Sequence, residues 1–106
     1  MQSWTERRAG HGLAIEVHRF ADEMAAPRGI TVLLLHGFMD AGGSWDRVAA
    51  RLASQGLDLW APDFRGFGGS DWVSGGGYYH FANYLADLDA VVEGSGAERV
   101  MLVGHS

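Results

Sequence analysis

Three short apolar runs, each followed at once by glycine and polar residues, limit the folds open to this 106-residue chain more than any other feature. The runs are residues 30–35, 57–61 and 100–103. An unbroken apolar run is typical of a strand that is covered on both faces, as in a parallel sheet. Apolar residues at helical spacing occupy both intervals between the runs. The order strand, helix, strand, helix, strand predicts the α/β class, a sheet with helices on both faces.

The segment before these runs has a different pattern, in which apolar and polar residues alternate over positions 12–20. This period of two is typical of a half-buried strand. Its apolar face carries Leu13, Ile15 and Val17, and its polar face carries Glu16 and His18. Residues 3–8 are its expected hairpin partner, across a turn at 9–12 that contains two glycines. We therefore expect an antiparallel pair of strands at the edge of the sheet.

Both predicted helices have sequence signals at their ends. Ser44 is the expected N-cap of the first helix, and Gly56 is its expected end. The glycine-containing stretch 94–96 ends the second helix. The predicted buried face of the first helix consists of Trp45, Val48, Ala49 and Leu52. That of the second helix consists of Phe81, Tyr84, Leu85, Leu88, Val91 and Val92.

Composition excludes several classes of function. The chain has no cysteine, so it can form neither disulfides nor a thiolate metal site. Its net charge is −5, and only Arg7 and Arg8 are adjacent basic residues, which argues against a nucleic-acid partner. The longest aliphatic run, 30–35, is far too short for a membrane span, and the first residues lack the apolar core of a signal peptide. We therefore expect a cytoplasmic protein with no membrane association.

The loops that follow the apolar runs are the candidate sites, because open α/β sheets bind ligands at the carboxyl ends of their strands. These loops are residues 36–40, 63–70 and 104–106. Neither glycine-rich loop has the spacing of a dinucleotide fingerprint, and the chain has no lysine for a phosphate-binding loop. Nucleotide binding is therefore disfavoured.

The last loop has the residues needed for nucleophilic catalysis. Gly104, His105 and Ser106 follow an apolar strand directly. A glycine two residues before a serine permits a sharp turn that exposes the hydroxyl group. Such a serine attacks an acyl carbon when a base takes its proton and N–H groups stabilise the oxyanion. The three residues alone are also common in ordinary turns, so the interpretation depends on the neighbouring loops.

Taken together, the three loops resemble the α/β-hydrolase superfamily in type and order. The matching motifs are His36-Gly37, the stretch 62–70 beginning Pro-Asp-Phe-Arg, and Gly104-His-Ser106. The resemblance extends from about residue 12 to the end, and esterase-like serine hydrolases are the most similar branch. Epoxide hydrolases and haloalkane dehalogenases look less similar because they have Asp where this chain has Ser106. In that fold the strand at 100–103 pairs with the strand at 30–35, on the side away from 57–61.

The resemblance also implies roles for individual residues. Ser106 would be the nucleophile, and the backbone N–H of Phe38 would form half of the oxyanion hole. His36 and Gly37 would shape the oxyanion loop, while Gly104 and His105 would build the turn around Ser106. The catalytic acid and histidine would follow residue 106. No cofactor is implied.

Other polar residues have structural interpretations. Asp63 and Arg65 are expected to anchor the second loop, with anion recognition by Arg65 as the alternative. A metal site formed by His36, Asp63 and His105 is conceivable, but no ligand spacing supports it, and we predict no metal. The aromatic residues that could line an acyl pocket, or pack in the core, are Trp72, Tyr78, Tyr79 and Phe81. His18 carries no signal beyond its strand face.

Residues 1–106 are thus expected to be a single, partial α/β-hydrolase domain that is incomplete at its C-terminus. The predicted function of the parent protein is hydrolysis of an ester or related small-molecule acyl substrate, and the isolated chain is expected to be inactive. Two alternatives remain open. One is a non-catalytic half-domain that associates with itself or with a complementary fragment through the strand edge at 100–103. The other is an acyltransferase or perhydrolase.

Overall fold

The sheet is the centre of the structure, a computed structural model that describes residues 1–10, 12–37, 42–71 and 81–105. Within these ranges the sheet has five strands, in the order β1-β2-β4-β3-β5. The strands are β1 (Gln2–Ala9), β2 (Ala14–Ala21), β3 (Thr31–Leu35), β4 (Asp58–Pro62) and β5 (Val100–Gly104). A 3₁₀ turn, Gly42–Trp45, precedes helix α1 (Asp46–Ala53), and helix α2 is Phe81–Ser95. Neither helix in the described ranges has both the length and the apolarity needed to cross a bilayer.

The parallel strands have the predicted order. β3 lies between β4 and β5 and is parallel to both. Leu33 is level with Trp60 on one side and with Leu102 on the other. The prediction that the last strand lies on the side of β3 away from β4 is confirmed. The carboxyl ends of all three strands therefore reach the same edge of the sheet.

The antiparallel edge is also confirmed. β1 pairs with β2 along its whole length, and the turn between them is closed by a 2.7 Å bond from the N–H of Gly10 to the carbonyl of Leu13. β2 continues the sheet by pairing antiparallel with β4, with Val17 opposite Pro62. This pairing brings the polar face of β2 against the loop that follows β4.

Two apolar cores lie on opposite faces of the sheet, as the alternation along β3 requires. Val32 and Leu34 point to the α1 side, and Leu33 points to the α2 side. The other buried members on the α1 side are Phe20, Ala49, Ala53, Leu59 and Ala61. Those on the α2 side are Ile15, Val17, Trp60 and Val91. The prediction of one helix on each face is therefore confirmed.

Helix α1 begins later than predicted. Trp45 takes the N-cap position without a side-chain cap, whereas Ser44 lies inside the preceding 3₁₀ turn. Gly42, at the start of this turn, lies close against β4, and a Cβ on residue 42 would overlap the carbonyl oxygen of Ala61. Val48, predicted to be buried, is 45% exposed. The predicted end is correct, since Gly56 follows the helix with φ +86°.

Helix α2 departs from its predicted face at two positions. Leu85 is 51% exposed, whereas Asp87 is completely buried. Val91 is buried in the core as predicted, and Leu88 and Val92 pack against that core. Asp87 can be buried because it has a cationic partner in the loop after β4. At the far edge of the sheet, Met101 and Leu102 of β5 are each 53% exposed.

Candidate active site

The candidate site lies at the carboxyl edge of the parallel strands, where β3 and β5 end side by side. Leu35 is level with Gly104, and the N–H of His105 donates a 3.1 Å hydrogen bond to the carbonyl of Leu35. Gly37 and His105 therefore follow two adjacent strands that are hydrogen-bonded to each other. The predicted nucleophile, Ser106, and the predicted oxyanion donor, Phe38, lie outside the described residues. So do Trp72, Tyr78 and Tyr79, and the side chain of Phe81.

His36 bridges the loop after β3 to the loop after β4. Its Nδ1 lies 2.8 Å from the carbonyl oxygen of Gly37, and its Nε2 lies 3.0 Å from the backbone nitrogen of Phe64. A carbonyl only accepts and an amide N–H only donates, so Nδ1 carries the proton and Nε2 is the acceptor. The rings of Phe64 and Phe67 meet the imidazole edge-to-face, with centroids 5.1 and 5.4 Å away. Both ring nitrogens are therefore engaged in holding the loop.

Asp63 is the second fixed point of the site. Its carboxylate, 1% exposed, accepts hydrogen bonds from the N–H of Gly42 at 2.6 Å and from the N–H of Gly69 at 3.0 Å. Nε2 of His18 lies 3.1 and 3.0 Å from its two oxygens. A buried charge must have hydrogen-bonding partners, and this carboxylate has three donors around it. It joins β2, the turn before α1 and the loop after β4.

The glycines after β4 make room for this carboxylate. Gly66 and Gly68 have positive φ angles of +81° and +50°. A Cβ at Gly68 would overlap Asp63, and one at Gly69 would overlap the carboxylate of Glu16. The glycine-rich loop therefore surrounds a buried carboxylate of the protein itself, and the N–H of Gly69 donates to Asp63.

Ser70 adds a further link between this loop and β2. Its buried hydroxyl donates to the carbonyl of Asp63 and accepts from the N–H of Glu16.

Arg65 forms a buried ion pair with Asp87 of α2. Nη2 of Arg65 lies 2.7 Å from Oδ1, and Nε lies 3.0 Å from Oδ2. The backbone N–H of Arg65 donates to the same carboxylate at 3.2 Å. The side chains are 7% and 1% exposed. The guanidinium expected to anchor the loop thus reaches helix α2. Sequence reasoning missed Asp87, whose signal was an acidic residue between apolar positions of an amphipathic helix.

One group of side chains has donor atoms close enough to surround a cation. In the described ranges this group is Glu16, His18 and Asp63, whose ligand atoms lie within 4.8 Å of one another. It differs from the set considered from the sequence, since only Asp63 belongs to both. His18 uses Nε2 to donate to Asp63, so a metal bound at Nε2 would have to replace that hydrogen bond. Within the group, His18 and Asp63 are joined by a hydrogen bond and anchor the loop after β4.

Comparison with known proteins agrees with this arrangement of strands and loops. A family model described as the alpha/beta hydrolase fold matches residues 30–106. The chain belongs to this family. Among curated relatives, epoxide hydrolase A of Mycobacterium tuberculosis is 37% identical over 83 residues, which are 78% of this chain and 26% of the relative. Epoxide hydrolase 3 of Xenopus tropicalis is 43% identical over 74 residues, 70% of this chain and 20% of the relative.

Solved structures show the same similarity. An epoxide hydrolase from Vigna radiata superposes with a TM-score of 0.85 at 27% identity, covering 98% of this chain and 32% of that chain. The thioesterase domain from the curacin biosynthetic pathway superposes with a TM-score of 0.87 at 29% identity, covering 100% of this chain and 38% of that chain. The chain spans about a quarter of the length of the curated relatives it matches.

The loops indicate esterase-like serine hydrolases as the most similar branch, and this choice of branch stays a prediction. Epoxide hydrolases were expected to be less similar because of Ser106, yet these curated relatives bear that name at 37 and 43% identity. The names of these relatives therefore favour epoxide hydrolases. The serine at position 106 instead favours serine hydrolases. The chemistry of that position decides which activity we propose.

Proposed function

We propose that this chain supplies the nucleophile and one oxyanion donor of a serine hydrolase that acts on esters or related acyl substrates. The observation that carries the proposal is the hydrogen bond from the N–H of His105 to the carbonyl of Leu35. It ties the residue before Ser106 to the strand that leads into His36 and Gly37. Acyl transfer requires a nucleophile close to an oxyanion donor, and neighbouring strand ends are suited to supply both.

The proposed reaction has two steps. The hydroxyl oxygen of Ser106 attacks the acyl carbon while a base removes its proton, and the N–H of Phe38 donates to the oxyanion that forms. The carbon–oxygen bond to the leaving alcohol then breaks, the alcohol takes up the proton, and an acyl-serine remains. Water attacks this ester in the second step, releasing the acid and restoring the hydroxyl group. The family's chain order assigns the histidine base to a position after the serine.

Two of the three histidines in the described part of the chain, His18 and His36, support that assignment. His36 donates through Nδ1 and accepts through Nε2, so neither nitrogen offers a free lone pair to a serine hydroxyl. His18 directs its Nε2 proton to Asp63. Both histidines are thus engaged in fixing loops, which fits a base contributed by another part of the protein.

Epoxide hydrolysis is the second candidate, favoured by the names of the curated relatives. The residue type at position 106 argues against it. A carboxylate that opens an epoxide forms an ester, whose carbonyl carbon water can then attack. A serine oxygen that opens an epoxide forms an ether, which has no carbonyl carbon and does not release the product. Ser106 therefore favours an acyl substrate over an epoxide.

The test is a substrate panel applied to the intact protein and to its Ser106→Ala variant. We expect hydrolysis of p-nitrophenyl esters or of acyl thioesters, labelling of Ser106 by a fluorophosphonate, and loss of both in the variant. Diol formation from a styrene-type epoxide that is unaffected by Ser106→Ala would overturn the proposal. Added alcohol or peroxide tests the related chemistries, because an acyltransferase or a perhydrolase would form a new ester or a peracid.

A further inference from the structure

The segment 38–41 includes the proposed oxyanion donor. His36 and Gly42, on either side of it, form hydrogen bonds to two consecutive residues, Phe64 and Asp63. On the N-terminal side, His36 accepts a bond from the N–H of Phe64. On the C-terminal side, Gly42 donates a 2.6 Å bond to Asp63. The two residues that flank the segment, Gly42 and His36, are therefore held by the Asp63 carboxylate and the Phe64 amide.

His18 controls the first of these two groups. It lies on β2, level with Ala61 of β4, so its side chain reaches Asp63 two residues further along. Its Nε2 lies about equally far from both carboxylate oxygens, at 3.1 and 3.0 Å. Because an ionised carboxylate only accepts, Nε2 is the donor. The bond limits rotation of the carboxylate, which also accepts from Gly42 and Gly69.

His18 also lies directly beside the residue that Asp63 holds. A Cβ on Gly42 would come within 2.8 Å of Cδ2 of His18, and a Cβ on Gly43 would lie 3.6 Å from Cε1. The imidazole therefore covers the backbone at Gly42 while it orients the acceptor of the Gly42 N–H. Loss of the ring would remove a donor from Asp63 and a packing partner from the turn before α1.

We propose that His18 is a positioning residue for the oxyanion loop, acting through Asp63 and Gly42. This proposal rests on the proposed function, because it assigns the oxyanion donor to residue 38. His18 does not touch the reacting atoms. It fixes the carboxylate that anchors the end of the loop, and displacement of a catalytic donor by about 1 Å can lower the rate as much as 100-fold.

The experiment compares two substitutions of His18 with a core substitution on the opposite face of the sheet. His18→Leu removes the donor, and His18→Gln keeps an N–H group at a similar distance from the backbone. Val91→Ala, in the core beneath α2, is the control for general destabilisation. The readouts on the intact protein are kcat, KM, affinity for a boronic acid that mimics the tetrahedral intermediate, and hydrogen exchange at the Gly42 amide.

For His18→Leu we expect kcat to fall about 10- to 100-fold while KM stays unchanged. Affinity for the boronic acid should fall in parallel, because both report stabilisation of the oxyanion. The Gly42 amide should exchange faster. His18→Gln should restore most of each property. Val91→Ala should lower the unfolding midpoint but leave kcat and the protection of Gly42 unchanged.

The proposal is overturned if His18→Leu behaves like Val91→Ala, with lower stability but unchanged kcat and Gly42 exchange. Failure of the proposed function has a different signature. In that case the unsubstituted protein shows no hydrolysis that depends on Ser106, whereas exchange at Gly42 still reports on the anchor. Unchanged Gly42 exchange in His18→Leu then refutes the positioning role by itself.

Discussion

The backbone N–H of Phe64 donates a 3.0 Å hydrogen bond to Nε2 of His36, and this bond joins the loops that follow β3 and β4. The donor and acceptor are 28 residues apart in the chain. The contact makes His36 an acceptor within the loop framework, and it explains why a histidine next to a glycine at a strand end need not be a catalytic base.

Replacement of His36 by Phe is expected to destabilise the protein, because the N–H of Phe64 loses its acceptor in a part-buried position. The cost of such a loss is about 1–3 kcal/mol, measurable as a lower midpoint in urea. His36→Gln, whose side-chain oxygen can accept the same bond, should recover part of this loss. Equal stability of the Phe variant and the unsubstituted protein would contradict the assigned role.

Alanine at Gly42 and at Gly43 should have different consequences for stability, although the two positions are adjacent. A Cβ at Gly42 would overlap the carbonyl of Ala61, whereas the nearest atom to a Cβ at Gly43 is Cε1 of His18 at 3.6 Å. We expect Gly42→Ala to lower stability by about 1–3 kcal/mol, as overpacking does. Gly43→Ala is the matched control and should be close to neutral. Similar urea midpoints for the two variants would disprove the close approach to β4.

Arg65 and Asp87 should show strong coupling in a double-mutant cycle. Removing either charge alone leaves the other buried without its opposite charge in this ion pair, so Arg65→Met or Asp87→Leu should each cost about 3–5 kcal/mol. The double variant should cost much less than the sum, because no buried charge remains. Urea unfolding of the four proteins measures the coupling. Additive losses would show that the pair does not act as a unit.

The pH dependence of stability should include a contribution from Glu6. Burial raises the pKa of this carboxyl, but hydrogen bonds from Arg8 and Arg19 outweigh it and hold the pKa below the ordinary value of 4.5. A carboxyl with a lowered pKa in the folded state contributes stability above pH 4.5, which is lost as the pH falls through the folded pKa.

Glu6→Gln should therefore reduce stability more at about pH 6 than at about pH 3, as urea titrations at the two pH values would show. Glu23→Gln, at an exposed position, is the control for the loss of one carboxylate elsewhere on the surface. A Glu6→Gln effect that does not vary with pH would show that the arginine contacts do not stabilise the ionised form.

The 106-residue chain produced by itself is expected to react with a fluorophosphonate far more slowly than the intact protein does. The reason is the family's order of catalytic residues, in which the histidine follows the serine. Mass spectrometry of the Ser106 peptide measures the labelling, and intact protein labelled in parallel is the positive control. Labelling of the short chain at the rate of the intact protein would show that a base lies within residues 1–106.

Much of the fold follows from local patterns in the sequence. The period of two in β2 and the unbroken apolar run of β3 identify a half-buried and a doubly covered strand, and the crossovers then place α1 and α2 on opposite faces. These patterns arise because the buried positions of each strand or helix are occupied by apolar residues.

The parts that escaped prediction depend on partners distant in the chain. Asp87 is buried because Arg65, 22 residues earlier, neutralises it. His18 gains its partner from Asp63, 45 residues later. The turn before α1 brings Gly42 against Ala61, 19 residues later in the chain. No local periodicity encodes such contacts, so the residues that hold the candidate site together became visible only in the folded chain.

The crowding around Asp63 has a consequence for how substrate preference can change. Gly42, Gly68 and Gly69 have no room for a side chain, because each faces backbone or a carboxylate at close range. Directed evolution of selectivity should therefore find few tolerated changes at these three positions, however large the library. Most substitutions introduced at these positions would give misfolded variants. Loops that do not contact this carboxylate are the better targets for redesign.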